Sequence, residues 1–132
     1  MMLKNDDLGK LFLRIAVAVI ILFHGWFKLT HGVGWIQGML GGMGFLAYGT
    51  YLAELIAPLL ILVGFRTRLA ALFIVTDMLV AILMVLHTAM FSVKEMGGGW
   101  AIEIEAMLML CALALFFTGS GKYAVSSSRK WD

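Results

Sequence analysis

The chain has little of what builds soluble, disulfide-bonded or nucleic-acid-binding proteins. Charged residues make up 14% of its 132 residues, where a soluble domain carries roughly 25%. The single cysteine, Cys111, and the lack of a Cys-x-x-Cys pair exclude an internal disulfide and self-contained dithiol chemistry. We interpret Cys111 as a packed apolar residue. The net charge of +2 comes without a basic stripe, so we expect no nucleic-acid partner.

Apolar sequence is abundant, since hydrophobic residues make up 62% of the chain. A bilayer-spanning helix needs about 20 such residues, and the chain has room for four. We therefore predict an all-α membrane protein, with one transmembrane domain over residues 1–123 and a polar tail over 124–132. Residues 126–132 of that tail are expected to be disordered. The first apolar run is long for a signal peptide and lacks a small-residue cleavage site. The predicted spans are residues 11–29, 47–65, 69–91 and 100–118.

The basic residues predict the topology. Eight lie near one set of span ends, whereas Lys28 and Lys94 lie near the other. This asymmetry puts both termini in the cytoplasm. The short turns favour antiparallel neighbours, hence an up-down-up-down bundle in the cytoplasmic (inner) membrane. Glycines in residues 32–49 disfavour a continuous helix there.

Ionisable residues occur well inside these apolar runs. A charge at the centre of a bilayer costs from about 2.5 kcal/mol upward, so such residues usually face the interior of the protein and mark a functional site. They are His24, Lys28, Glu54, Asp77, His87, Glu103 and Glu105.

Four of them are expected at similar depths. With a rise of ~1.5 Å per residue, Glu54, His24, Glu105 and Glu103 lie ~15, ~20, ~21 and ~24 Å from the cytoplasmic end of their spans. They come from three helices and are predicted to meet in one cavity that opens outward. Glu103 and Glu105 are two residues apart, so at most one of them points at the bundle axis.

The other ionisable residues are expected elsewhere. His87 comes out at ~28 Å, near the outer boundary of a ~30 Å core. Asp77 comes out at ~13 Å, where it is expected to pair with Arg14, Arg66 or Arg68. A place on a proton path is the alternative for Asp77.

Three stretches together resemble the DoxX family. The first is residues 14–29, with Phe23-His24-Gly25-Trp26-Phe27-Lys28-Leu29. The second is Ala53-Glu54-Leu55, followed by residues 62–70. His87, a late glutamate and residues 119–123 complete the likeness, although Gly119-Ser120-Gly121-Lys122 departs from the family's usual Gly-Pro-Gly ending.

The resemblance implies a four-helix inner-membrane protein. Members resemble the small membrane subunit of thiosulfate:quinone oxidoreductase, and others are associated with membrane oxidoreductase complexes. Of the two late acids, Glu103 better fits the family's spacing. Partners are then the lipid bilayer and either other subunits or further copies of the chain.

The candidate residues allow functional and structural interpretations. His24 can donate to a quinone carbonyl and supply protons, or bond a facing helix. Lys28 can hold an anionic group, or extend to the outer headgroups. Glu54, one turn before Pro58, can relay protons, or bond a carbonyl freed by the proline.

Cofactor candidates follow from the same residues. We expect His24, Lys28, Trp26 and His87 to contribute to cofactor binding, with quinone as the candidate. The depths of His24 and His87 differ by ~8 Å, which argues against two axial ligands on one haem iron. No His and Glu spacing supports a metal site. The tryptophans fit either an interfacial belt or the wall of a pocket.

The leading hypothesis is a membrane subunit of a redox system, with catalytic roles for His24, Glu54 and one of Glu103 or Glu105. The chain shows no redox centre, so its own enzyme activity is left open and a partner or a bound quinone must carry the electrons. The alternatives are a transporter for protons or a small molecule, favoured by a weak hairpin repeat, and a scaffold subunit.

Overall fold

The computed structural model describes residues 4–132, apart from the side chains of residues 36, 39, 40, 43–46 and 85. Over that range the chain is helical and has no strand; Val93 and Trp100 form an isolated bridge. The all-α prediction is confirmed. The helices are α1 (Asp6–His31), α2 (Gly34–Leu40), α3 (Gly49–Val63), α4 (Thr67–Val80) and α5 (Glu103–Thr118).

Irregular helical turns join or interrupt these helices. A 3-10 helix, Gly41–Tyr48, leads into α3, and a π-helical turn, Leu52–Ile56, lies inside it. A second π-helical turn, Ala81–Val85, continues α4, and the 3-10 turn His87–Ala89 follows. Such turns occur often at functional sites.

The helix ends follow from local sequence. The side chain of Asn5 caps α1 by accepting a 3.0 Å hydrogen bond from the Leu8 amide. Gly64, with φ 78°, ends α3, because its left-handed backbone lets the amides of residues 64 and 65 bond the Leu60 carbonyl.

The four longer helices pack in a ring in which each contacts two neighbours. Their shared core is built from medium-sized and small apolar side chains: Val17, Ala18, Ile21, Ala57, Ile61, Ala70, Ala71, Ile74, Ala112 and Leu115. Many large side chains point outward instead. Phe23, Trp26, Met107 and Phe117 are each more than 60% exposed. An apolar surface of this extent is suited to lipid rather than water.

Within the described residues, two helices are long and apolar enough to cross a membrane. They are α1, with a mean hydropathy of 1.9, and Thr67–Met84, which is α4 with most of its π-helical turn, at 2.0. Helix α3 is also apolar but shorter, and α5 has 16 residues. The first and third predicted spans therefore coincide with long helices, whereas four membrane crossings remain a prediction.

The polar tail differs from the expectation. Residues 126–132 were expected to be disordered, yet the Asp132 side chain is buried and forms a 3.1 Å ion pair with Arg66. The carbonyl of Trp131 accepts from the amides of Arg68 and Leu69, at the start of α4. The tail therefore supplies acceptors to amides that the first turn of a helix leaves free.

Arg14 joins the same end of the molecule. Its side chain is buried and donates to the carbonyls of Ile61 at 2.8 Å, Leu62 at 2.9 Å, Ser120 at 3.1 Å and Tyr123 at 2.6 Å. These carbonyls lie at the end of α3 and beyond α5. One guanidinium thus ties three parts of the chain together, because its planar fork offers five donors.

Candidate functional site

A cavity of about 360 Å³ lies between the helices, at the lower end of the volume range for small-molecule sites. Every one of the five helices contributes to its wall. The polar lining side chains are His24, Lys28, Thr50, Glu54, Thr76, Asp77 and Glu105; the larger apolar ones are Trp35, Leu52, Phe73, Met78, Val80, Leu86 and Leu108. An apolar chamber with a few polar groups is typical of a ligand site.

The ion pair between Lys28 and Glu54 is the main polar feature of this cavity. Lys28 Nζ donates to Glu54 Oε1 at 2.6 Å, and the two side chains are 13% and 2% exposed. Glu54 Oε2 is buried, and no donor reaches it from the described residues. Lys28 therefore turns inward to Glu54 instead of extending to the outer headgroups.

The backbone around Glu54 explains how its side chain reaches Lys28. Pro58 has no amide hydrogen, and its ring crowds the carbonyl four residues earlier, which belongs to Glu54. The π-helical turn Leu52–Ile56 lies at this point. The helix is thus locally widened just before the proline, at the turn that carries Glu54.

Gly25 on α1 allows the close approach of α1 to α3 at Glu54. This role of Gly25 was not identified from the sequence. A Cβ placed on Gly25 would overlap the Glu54 carbonyl oxygen and lie 2.7 Å from its carbon. Only a residue without a side chain lets the two helices approach this closely. The available signal was a glycine one turn before Lys28 inside an apolar helix.

Asp77 lies at the cavity, and its expected pairing with Arg14, Arg66 or Arg68 is wrong. Its carboxyl shares the cavity lining with Glu54 and Lys28 and lies close to both. The three arginines have other acceptors: backbone carbonyls for Arg14 and Arg68, and Asp132 for Arg66.

The structure separates the two late glutamates. Glu105 lines the cavity. Glu103, favoured by the family's spacing, instead forms a 2.9 Å ion pair with Lys94 at the surface, where both side chains are well exposed. Of the two, Glu105 is therefore the one that faces the cavity.

The histidines also separate. His24 lines the cavity from α1, and its ring enters no hydrogen bond with residues 4–132. His87 begins the exposed 3-10 turn after α4 and is not part of the cavity wall. The contribution of His87 to cofactor binding stays a prediction.

The tryptophan chosen from sequence lies on another side of the molecule. Trp26 borders a separate shallow groove with Leu22, Phe23 and Leu55, whereas Trp35 lines the main cavity. Within the described residues, no three His, Cys, Asp or Glu side chains are arranged to hold a metal ion.

These observations describe a small helical membrane protein with a charged cavity inside its helix packing. Residues 9–89 match the family model DoxX, and the chain belongs to the DoxX family. It is 32% identical over 119 residues, 89% of the chain and 84% of the relative, to the protein named "Putative oxidoreductase CatD" of Bacillus subtilis (strain 168). It is 30% identical, over 98% of the chain and the whole relative, to "Inner membrane protein YqjF" of Escherichia coli (strain K12). No solved structure matches significantly.

Proposed function

We propose that this protein is a membrane subunit of a redox system, and that its cavity binds the ring of a quinone. In this proposal α1, α3, α4 with its π-helical turn, and α5 all cross the inner membrane, and both termini are cytoplasmic. The inner-membrane relative supports the location, and the name of the Bacillus subtilis relative supports redox chemistry.

The single observation that carries the proposal is a largely apolar cavity that also holds the Lys28–Glu54 ion pair in its lining. Trp35, Phe73 and Leu108 offer flat or apolar surface to a ring. Lys28 and His24 lie one turn apart on α1 and offer donors to a carbonyl oxygen. A quinone needs both kinds of contact, and its volume suits the site.

When bound, a quinone supplies two-electron, two-proton chemistry. The chain's own residues would orient the ring, exclude water and hold protons at the carboxyls of Glu54, Asp77 and Glu105. Since the sequence has no redox centre of its own, electrons come from a partner protein in this proposal.

Proton or small-cation transport is a second candidate. Three carboxyls and one lysine line the cavity, so its full ionisation leaves an excess of negative charge. A cavity of that sign attracts cations and protons. This charge balance also argues that Lys28 is engaged with Glu54 and is not free for an anionic ligand.

The proposal is tested by what the protein retains on purification. The full-length protein would be purified in mild detergent, and its lipids extracted and analysed for quinone. We expect bound quinone in the unchanged protein and its loss in Glu54→Gln and His24→Ala. The matched surface variants, Glu103→Gln and His87→Ala, should retain it.

Other outcomes would contradict the proposal. If the protein holds no quinone and liposomes containing it conduct protons or a small cation, the transport candidate replaces it. If Glu54→Gln and His24→Ala complement a deletion strain fully, the cavity has no role and a scaffold function is left.

A further inference from the structure

The lining of the cavity contains one lysine, Lys28, together with the two acids Glu54 and Asp77. Glu54 accepts from Lys28 through one oxygen, and its other oxygen, buried, has no donor among residues 4–132. The carboxyl of Asp77 lines the same cavity and lies close to Glu54. Two carboxylates without a proton have nothing to donate, so that contact is favourable only when one of them is protonated.

The charges lead to the same conclusion. With both acids ionised, the three groups carry a net charge of −1 inside an apolar chamber. Glu54 is buried and the other two side chains are half-buried, so an uncompensated charge on this group is destabilising. One proton held by the two acids makes the group neutral and supplies the missing donor.

We propose that Glu54 and Asp77 form a proton-binding site that holds one proton between them, with Lys28 as the counterion. Two other titratable groups face it: His24 from α1 and Glu105 from α5. His24 is exposed and makes no bond within the described chain, which suits a group that passes a proton to and from the site.

This proton-binding site extends the proposed function, because Glu54 and Asp77 would be the groups that exchange a proton with the molecule in the cavity. It rests on that function only in placing these helices in the membrane, and it exists whether or not a quinone binds. The two ideas can therefore fail separately.

Dicyclohexylcarbodiimide is the probe for this site. It is apolar and reacts with protonated carboxyls. The acid proton moves to a carbodiimide nitrogen, the carboxyl oxygen bonds the central carbon, and an acyl shift leaves a stable N-acylurea without a leaving group. Full-length protein in liposomes would be treated, digested and analysed by mass spectrometry for label at each acid.

The expected labelling changes have opposite signs in two variants. Asp77→Asn removes the shared proton and leaves Glu54 ionised beside Lys28, so labelling of Glu54 should fall about tenfold, the change that one unit of proton affinity produces. Lys28→Met removes the counterion, so both acids take up a proton and labelling should rise. Asp77→Glu should restore the labelling of Glu54.

Glu103 is the internal control, because it is exposed and pairs with Lys94 outside the cavity; its labelling should be low and unaffected. In the unchanged protein, labelling of Glu54 should fall as the pH rises, a result that needs no variant. Labelling of Glu54 that is the same in Asp77→Asn, or absent in the unchanged protein at every pH, would overturn the proposal.

Adding a naphthoquinone separates the two ideas. Protection of Glu54 from the reagent supports both. Unprotected labelling that still follows Asp77 and Lys28 as described supports the proton site and contradicts the quinone pocket.

Discussion

The close contact between Gly25 and Glu54 leads to a prediction for Gly25→Ala. The added methyl would lie 2.7 Å from the Glu54 carbonyl carbon, whereas ordinary contact begins at 3.4 Å, so α1 and α3 must separate by at least about 0.7 Å. The Lys28–Glu54 pair lies one turn away on α1 and spans the same two helices. The separation should therefore stretch it.

The expected cost has three parts. Overpacking a tight interface costs about 1–3 kcal/mol. Lengthening the 2.6 Å ion pair by that amount loses roughly 1 kcal/mol at an effective dielectric constant of about 20. Replacing glycine by alanine in a helix returns up to about 1 kcal/mol. The net loss of about 1–3 kcal/mol should lower the Tm by about 3–10 °C.

The assay is thermal unfolding in detergent, combined with naphthoquinone binding followed by tryptophan fluorescence. Gly9→Ala is the matched control, because Gly9 lies in the same helix and its Cβ would meet nothing within 4 Å. Its Tm should be unchanged or higher, with unchanged binding. If Gly25→Ala behaves like Gly9→Ala in both measurements, the contact does not position Glu54 and our reasoning is refuted.

Three further predictions concern other parts of the molecule. Arg14→Met should destabilise the protein by at least about 3 kcal/mol, since hydrogen bonds to a charged group are worth about 1.5–3 kcal/mol each, and unfolding in detergent should show that Arg14→Lys does not rescue it. Hydrogen bonds from the Ser126 hydroxyl and the Arg129 amide, with the charge of Arg66, hold the pKa of Asp132 below its ordinary value. The ionised Asp132 therefore stabilises docking of the tail fully above about pH 3.9, and this stabilisation is lost as the pH falls through the lowered pKa. Amide hydrogen exchange at the tail should increase over that pH range, and Asp132→Asn should remove the pH dependence. Trp35→Phe should greatly reduce fluorescence quenching by a bound naphthoquinone, because Trp35 lines the cavity; quenching equal to that of the unchanged protein would place the ligand elsewhere.

The sequence was informative about helix α1 and about which of its residues face inward. His24 and Lys28 are four residues apart, so they share a face, and both line the cavity. Expected depths were also useful: Glu54 and Asp77 were placed within ~2 Å of each other along the membrane normal, and both line the same cavity.

Asp77 was nevertheless assigned to the wrong partners. The depth of a residue along a helix does not determine the direction in which its side chain points. Arg14, Arg66 and Arg68 were chosen because their expected depths are closest to that of Asp77 and the sequence showed no other partner for them. They bind carbonyls at helix ends and in the tail, or Asp132. A backbone carbonyl leaves no mark in a sequence, so these acceptors could not be foreseen.

The late glutamates show a similar limit. Two positions two residues apart cannot both face the cavity, yet choosing between them requires the rotation of α5. That helix begins at Glu103, where the side chain reaches Lys94 of the preceding loop. The loop's conformation, with its bridge between Val93 and Trp100, decides the outcome.

In the proposed function, the cavity binds a quinone ring beside Lys28 and Glu54. The direct measurement is the Kd of a short-chain naphthoquinone for the full-length protein in lipid nanodiscs, compared among Lys28→Met, Glu54→Gln and Glu103→Gln. We predict binding about 10- to 100-fold weaker in the two cavity variants, the loss expected for one charge-assisted hydrogen bond, and unchanged binding in Glu103→Gln. Equal Kd values in all three variants and the unchanged protein would contradict the claim.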